Sequence, residues 1–588
     1  MRLFSPRMSH IHQPAAPPSL EIEPGPPPRI SSGRESVAAV RILGGRAREL
    51  FDWVDERTVE LPALRRAAAT VRTALRVVSS PFASEHEPSE IRQARALGPA
   101  PRPRAPTRKV LVLTLRAWTT HVAYELLLGH ELQRRGADCR FVVCGGGLPI
   151  CELGNARREF PHPCAACKRY VTEMLGAAGL DYVTLDELVD ESERLALSDG
   201  VRNAPDPHSL QVDGVTLAPL VMRSVLWVAR TAWAARELDE RPEFREFLES
   251  AAIVTRAFGR LLDREQPEAI VMVSGLFFAE AAMRELAEQR GVRVVMYDFP
   301  GRPGTVFASE GEPASFYEIA ELWQARGEEE LTPAARERVL TAIGGARSGG
   351  EVAWSSFRFD EARPERTRAG GRRIAAFTNV SWDTAVTLRD VGFRDIYEWL
   401  DTVVEWAVEH DDVELDVRVH PGEVRVRGFQ SEDSLAEYLV ARFPDLPPRI
   451  AVHPPESRVD SYELIEGADV VLVYTSTIGL EAVLRGRPTL VAADVHYRGK
   501  GFTVDVGGPE HLRAALERLE EHALTEAQRD RAIAYANLFF FESMVELRSL
   551  SERWRGKPVF RIDDPAELAE DPGIARVCDL ALAGTEPT

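Results

Sequence analysis

Short apolar runs recur along the chain, each followed by a polar turn and then by a stretch with helical spacing. Lys109 to Leu115, Cys139 to Cys144, Ala269 to Val273 and Val292 to Tyr297 are four such runs. Arg373 to Phe377, Leu415 to Val419, Ile450 to Val452, Val470 to Val473 and Thr489 to Ala492 continue the series. They do not alternate apolar with polar, so they predict strands buried on both faces, as in parallel sheets. Between them, Val122 to Arg134, residues 186–264, the segment AEAAMRELAEQRG and Ile396 to Val408 predict helices. Strand and helix in alternation predict an α/β chain of Rossmann-like units. The opening β-loop-α-β unit has no GxGxxG, so no dinucleotide cofactor is expected.

A chain of 588 residues exceeds one ordinary core. The pattern divides it into a Pro- and Arg-rich extension (1–107), an N-terminal Rossmann-like domain (108–345), a Gly- and Arg-rich linker (346–371), a C-terminal Rossmann-like domain (372–549) and a peripheral tail (550–588). Inside the extension, Val37 to Val78 reads as a helix whose basic face carries Arg65, Arg66, Arg72 and Arg76. A solvated helix packed on the main body is one reading, and contact with anionic lipid or a partner is the other. Thr525 and Gln528 suit a capping box, and the helix they open carries the apolar run LFFFESMVEL, which must be buried across both domains.

The formal charge of −19 argues against general nucleic-acid binding. The most apolar long stretch, Leu217 to Ala235, is broken by Arg223 and Arg230, and the N-terminus lacks the apolar segment of a secretory signal. A cytoplasmic location, peripheral to the inner membrane if the basic helix binds lipid, is expected. Five of six cysteines fall between Cys139 and Cys167. Cys164 and Cys167 form a C-x-x-C knuckle, and Cys144 and Cys151 would complete a four-thiolate set, with His162 as a spare ligand. The readings are a structural zinc, an iron–sulfur cluster, or buried thiols without metal.

Candidate chemistry sits where strands end. After Val470 to Val473 comes Thr475-Ser476-Thr477-Ile478-Gly479, opening a helix that carries Glu481. Backbone N–H groups and hydroxyls there suit a phosphate, Gly479 permits close approach, and Glu481 lies in reach of ribose hydroxyls. Arg418-Val-His420-Pro421 ends another strand, and a protonated His420 there would pair with a phosphate or protonate it. His121, after the first strand, and Asp298, beside Ser274-Gly275, are the candidate general bases. Glu423 and Arg425 read as solvated, and residues 496–503 as a Gly-rich loop able to close over a ligand.

The blocks FTNVSWD, RVHPGE, SYELIEGADVVLVYTSTIGLEA and GRPTLVAADVHYRGKGFT resemble the capsule polysaccharide biosynthesis family, which includes Kdo transferases. The resemblance runs from about Lys109 to Leu547 and is firmest from Phe377 to Val506. It implies a GT-B fold, two Rossmann-like domains facing across a cleft, and a metal-independent glycosyltransferase. The donor would be a nucleotide sugar, CMP-linked by preference, and the acceptor a surface polysaccharide or glycolipid. Asn379 and Asp383 match the motif opening the family's second domain, so they join Arg418, His420, Ser476, Thr477, Gly479 and Glu481 as donor-binding candidates. The alternatives are a CDP-glycerol-type polyol-phosphate transferase or nucleotide-sugar epimerase of the same fold, and a non-catalytic scaffold of a glycan assembly complex.

Overall fold

Each of the nine apolar runs predicted as strands is a strand, with ends within two residues of those read from the sequence. In this computed structural model the described residues are 88–583, except 105, 107, 154–163, 346–370, 426–429 and 554–556. They belong to one compact unit, Glu87–Thr588. The basic helix expected over Val37 to Val78 and nearly all of the linker lie outside the described residues.

The strands form two large sheets. The first runs in the order Val545–Glu546, Thr305–Glu310, Arg293–Asp298, Ala269–Val273, Arg108–Leu113, Ala137–Val143, Tyr182–Thr184. Its last five strands are parallel, and the two on the other edge are each antiparallel to their inner neighbour. The second sheet is parallel throughout, in the order Ile450–His453, Val413–Arg418, Arg372–Phe377, Val470–Val473, Thr489–Val491, Val504–Asp505. In chain order this is 3-2-1-4-5-6, the doubly wound Rossmann arrangement.

That order leaves a crevice where the winding reverses, between Arg372–Phe377 and Val470–Val473. The register makes the crevice level, because Phe377 pairs with Arg418 on one side and with Val473 on the other. The polar residues that follow each strand therefore start at one height. The first sheet reverses in the same way between Arg108–Leu113 and Ala269–Val273. Residues following the carboxyl ends of both sheets line one cleft, which is the GT-B arrangement.

The C-terminal part of the chain ties the two sheets together. Thr525 and Gln528 do form a capping box, and the helix Glu526–Asn537 passes through a π-turn at Leu538–Ser543. Phe539, Phe540 and Met544 are fully buried. The next residues, Val545–Glu546, join the first sheet.

The segment after residue 549 is not the peripheral tail expected. The helix Pro572–Leu582 packs against the first sheet with Ile574, Val577, Cys578 and Ala581 fully buried. Tyr124, on the helix Thr119–Arg134, donates to the Gly573 carbonyl at 2.9 Å. Those four residues have helical spacing, so the apolar stripe was present in the sequence. The helix Leu217–Ala229, within the most apolar stretch, is core, and no helix among the described residues is long and apolar enough to cross a membrane.

Candidate active site

The cleft has a volume of about 1010 Å³. His121 and Asp298 line it from the first domain, and Asn379, Asp383, Arg418, His420, Ser476, Thr477 and Glu481 line it from the second. Nine of the residues singled out in the sequence thus meet on one cavity.

On the second-domain wall each residue has a defined partner. Asn379 Oδ1 accepts from the Thr475 N–H at 3.1 Å and so bridges the two strands flanking the crevice. Thr378 Oγ1 accepts from the His420 N–H at 3.0 Å. The Gly422 N–H donates to His420 Nδ1 at 3.0 Å. A ring nitrogen that accepts carries no proton, so the imidazole is the Nε2–H tautomer. Burial, with the nearby Arg418 guanidinium, lowers the His420 pKa to about 4. The imidazolium expected from sequence is therefore replaced by a neutral ring whose Nε2–H is the donor.

Arg418 is almost wholly buried, and its guanidinium donates to the carbonyls of Val419, Pro454 and Ser457. It props the loop after Ile450–His453 more than it offers charge to the cleft. Glu423 is buried, not solvated: both its carboxylate oxygens lie 3.3–3.4 Å from the Leu435 N–H, at the start of the helix Leu435–Arg442.

Thr477 precedes the helix Ile478–Leu484 and makes no side-chain cap bond to it. Its hydroxyl and that of Ser476 are not spent on capping. Gly479 is not on the cleft wall, and a Cβ there would run into the Tyr497 hydroxyl and Val473. The glycine makes room for Tyr497, which donates to the Ser476 carbonyl at 2.5 Å, so close ligand approach is not its role. Glu481 Oε2 accepts from Tyr462 at 2.8 Å. Burial raises its pKa to about 7, against the pull of Tyr462 and Arg485.

The loop 496–503 is anchored instead of hinged. Arg498 donates to the carbonyls of Val491 and Val506, Lys500 pairs with Glu318 at 3.2 Å, and Arg531 holds the Lys500 carbonyl at 2.7 Å.

On the first-domain wall the two candidate bases differ. His121 sits among aromatic rings, with Phe299 at 5.0 Å, Trp118 at 5.7 Å and Tyr297 at 5.8 Å between centroids. Burial, helped by Arg116, lowers its pKa to about 4. Asp298 ends the strand Arg293–Asp298 and accepts from the Phe299 N–H at 2.7 Å and from Ser315. Burial, with Asp383 facing it from the other domain, raises its pKa to about 6. Ser315 also lies 2.7 Å from Ser274 Oγ.

Ser315, Phe316 and Tyr317 line the cleft and were not anticipated. They come from an irregular turn after the strand Thr305–Glu310, with no periodicity to mark them. Trp118, Trp227 and Phe277 add an aromatic floor.

Behind this wall Arg116 is buried between Glu152 (2.5 Å) and Glu280 (2.5 and 2.9 Å). Its guanidinium lies 4.7 Å from the Trp118 ring. Cys144, Cys151, Cys164 and Cys167 lie on the far side of Arg116 and do not reach the cleft. Burial raises the Cys144 thiol to about 11 and that of Cys151 to about 12. No disulfide joins the cysteines.

Residues 352–540 match the capsule polysaccharide biosynthesis protein family, so the expected resemblance is borne out over that region. No curated protein matches the chain. Among solved structures, the chain is similar to the β-Kdo 2,4 transferase of Thermosulfurimonas dismutans KpsC, at 16% identity over 53% of this chain and 88% of that one, with a TM-score of 0.34. The β-Kdo 2,7 transferase of the same protein matches at 16% identity over 54% and 89%, TM-score 0.30. A UDP-GlcNAc 2-epimerase from Neisseria meningitidis matches at 12% identity over 74% and 99%, TM-score 0.24.

Proposed function

We propose that the protein is a glycosyltransferase of surface-polysaccharide synthesis. It would move a sugar from a nucleotide-linked donor in the second domain to a glycan or glycolipid hydroxyl presented by the first. One observation carries this reading. Neutral hydrogen-bond donors converge at the switch point of the second sheet, and a buried carboxyl, Asp298, with its pKa raised to about 6, lines the same cleft from the first domain. The match of residues 352–540 to the capsule family supports it.

In this reading the donor phosphate accepts from His420 Nε2–H, from the Ser476 and Thr477 hydroxyls and from the helix terminus behind them. Those bonds strengthen as the nucleotide leaves with added charge. Asp298 takes the proton of the attacking hydroxyl. It is the better base because its pKa of about 6 leaves it ionised yet basic at neutral pH, whereas His121 at about 4 is a weak acceptor. Glu481, held on one oxygen by Tyr462, would present the other to the ribose.

The cationic groups of the cleft are already committed. Arg418 is turned onto carbonyls, and Arg389 is paired with Asp494 at 2.9 Å. Neutral donors suit a phosphodiester with a single charge better than a diphosphate, which favours a CMP-linked donor. Hydrogen bonds to the leaving phosphate make the proposed chemistry independent of a metal there.

A thermal-shift series with CMP, CDP, UDP and GDP tests the donor site, because a ligand bound only by the folded state raises the midpoint by mass action. CMP is expected to raise it, and His420→Ala and Ser476→Ala to abolish the shift. A response to CDP-glycerol, or to UDP-GlcNAc with epimerised product, would replace this reading by one of its same-fold alternatives. Nucleotide binding without turnover would point to a scaffold.

A further inference from the structure

We propose that Cys144, Cys151, Cys164 and Cys167 form a binding site for one zinc ion, separate from the cleft. All four line a single cavity of about 30 Å³. They reach it from two places, the loop that leaves the strand Ala137–Val143 and the first turn of the helix Cys164–Ala177. The other walls are mostly apolar, from Leu115, Val143, Leu148, Leu153, Val171 and Phe278.

Protein interiors close-pack, so thiols acting as small apolar fillers would fill such a hole instead of lining it. The space would admit one water, but water needs two to four good polar partners, and thiols are weak ones. A soft divalent cation is the occupant that four thiols suit.

Without an ion, burial keeps the Cys144 and Cys151 thiols protonated, and the buried Arg116 also lines the cavity. The helix Cys164–Ala177 presents its N-terminus at Cys164, and Lys168 lines the cavity. The Ala117 N–H lies 3.3 Å from Cys167 Sγ, an orienting bond of the kind that surrounds a metal's ligands. The loop is held in place from outside. Ser250 bridges the Ile150 N–H and carbonyl at 3.0 and 2.8 Å, and Glu152 is fixed by Arg116 and by Ser224 at 2.7 Å.

Among the described residues no three His, Cys, Asp or Glu side chains stand close enough together to hold a metal ion. Binding would draw the loop and the helix turn together as each thiol gives its proton to solvent. The consequence reaches the cleft, since Ala117 precedes Trp118 and Arg116 stacks on that ring. The ion would brace the wall that carries Trp118 and His121 without touching substrate.

The test uses untagged full-length protein from zinc-supplemented medium, dialysed against metal-free buffer, with metals measured by mass spectrometry. One zinc per chain is expected, released by a mercurial reagent and replaceable by Co²⁺ with an intense thiolate charge-transfer band. Cys164→Ser/Cys167→Ser should lose the metal, while Cys578→Ala, in the core of the first domain, should keep it. Wild-type protein that holds no zinc and takes up none would overturn the proposal, whatever the variants do. So would iron with acid-labile sulfide in place of zinc, or full zinc retention in the double variant.

Discussion

Asp298 is where the chemistry is most exposed to test. Its pKa of about 6 lies above the usual aspartate range because burial and Asp383 disfavour the charge. Activity should therefore rise with pH through about 6 and then level, in a kcat/KM profile with saturating acceptor. Asp298→Asn should lower kcat by about 10²–10⁴-fold while leaving the nucleotide-induced thermal shift intact. The same residue gives a stability prediction with a definite sign. A carboxyl whose folded pKa exceeds its unfolded value stabilises the fold at low pH, and that contribution is lost as pH rises through about 6. Asp298→Asn should thus raise Tm, more at pH 7.5 than at pH 4.5. No gain at pH 7.5 would mean the carboxylate is better solvated than its burial implies.

At the scale of elements, the helix Ile478–Leu484 depends on a glycine for packing. Gly479→Ala should destabilise by about 1–3 kcal/mol, the usual range for overpacking, because the new methyl meets Tyr497 and Val473. Tyr497→Phe removes the hydroxyl that is struck, so the double variant should recover part of the loss in chemical denaturation. Additive losses would show that Val473 is the harder obstacle. Strands and helices were legible here because burial on both faces leaves continuous apolar runs, and Val470–Val473 is fully buried along its length. The loop after Val473 and His420 were legible because polar residues directly after such runs must lie at a sheet edge. The state of His420 was not, since it depends on the Gly422 N–H and on burial. Nor was Ser315, whose place beside Asp298 is set by an irregular turn.

At the scale of the molecule, the first domain is not a continuous stretch of chain. Its sheet gains Val545–Glu546 on the edge, and its surface is covered by the helix Pro572–Leu582. Fully burying one large apolar side chain is worth about 1.5–3 kcal/mol, so Ile574 and Val577 alone make this helix a structural necessity. Truncation after residue 549 should lower the first domain's stability until it aggregates or binds a hydrophobic dye. Val577→Asp should do the same in the full chain, by placing an unpaired charge in the core. A truncated protein that unfolds cooperatively at the full-length Tm would contradict this account.

The return of the chain to its first sheet also sets a sequence of events during synthesis. The second sheet, ending at Asp505, can leave the ribosome complete. The first has all but one of its strands by Glu310, yet waits for more than two hundred further residues before its edge and cover arrive. The part made earliest is thus the part finished last, and until then its exposed apolar face is a natural target for chaperones.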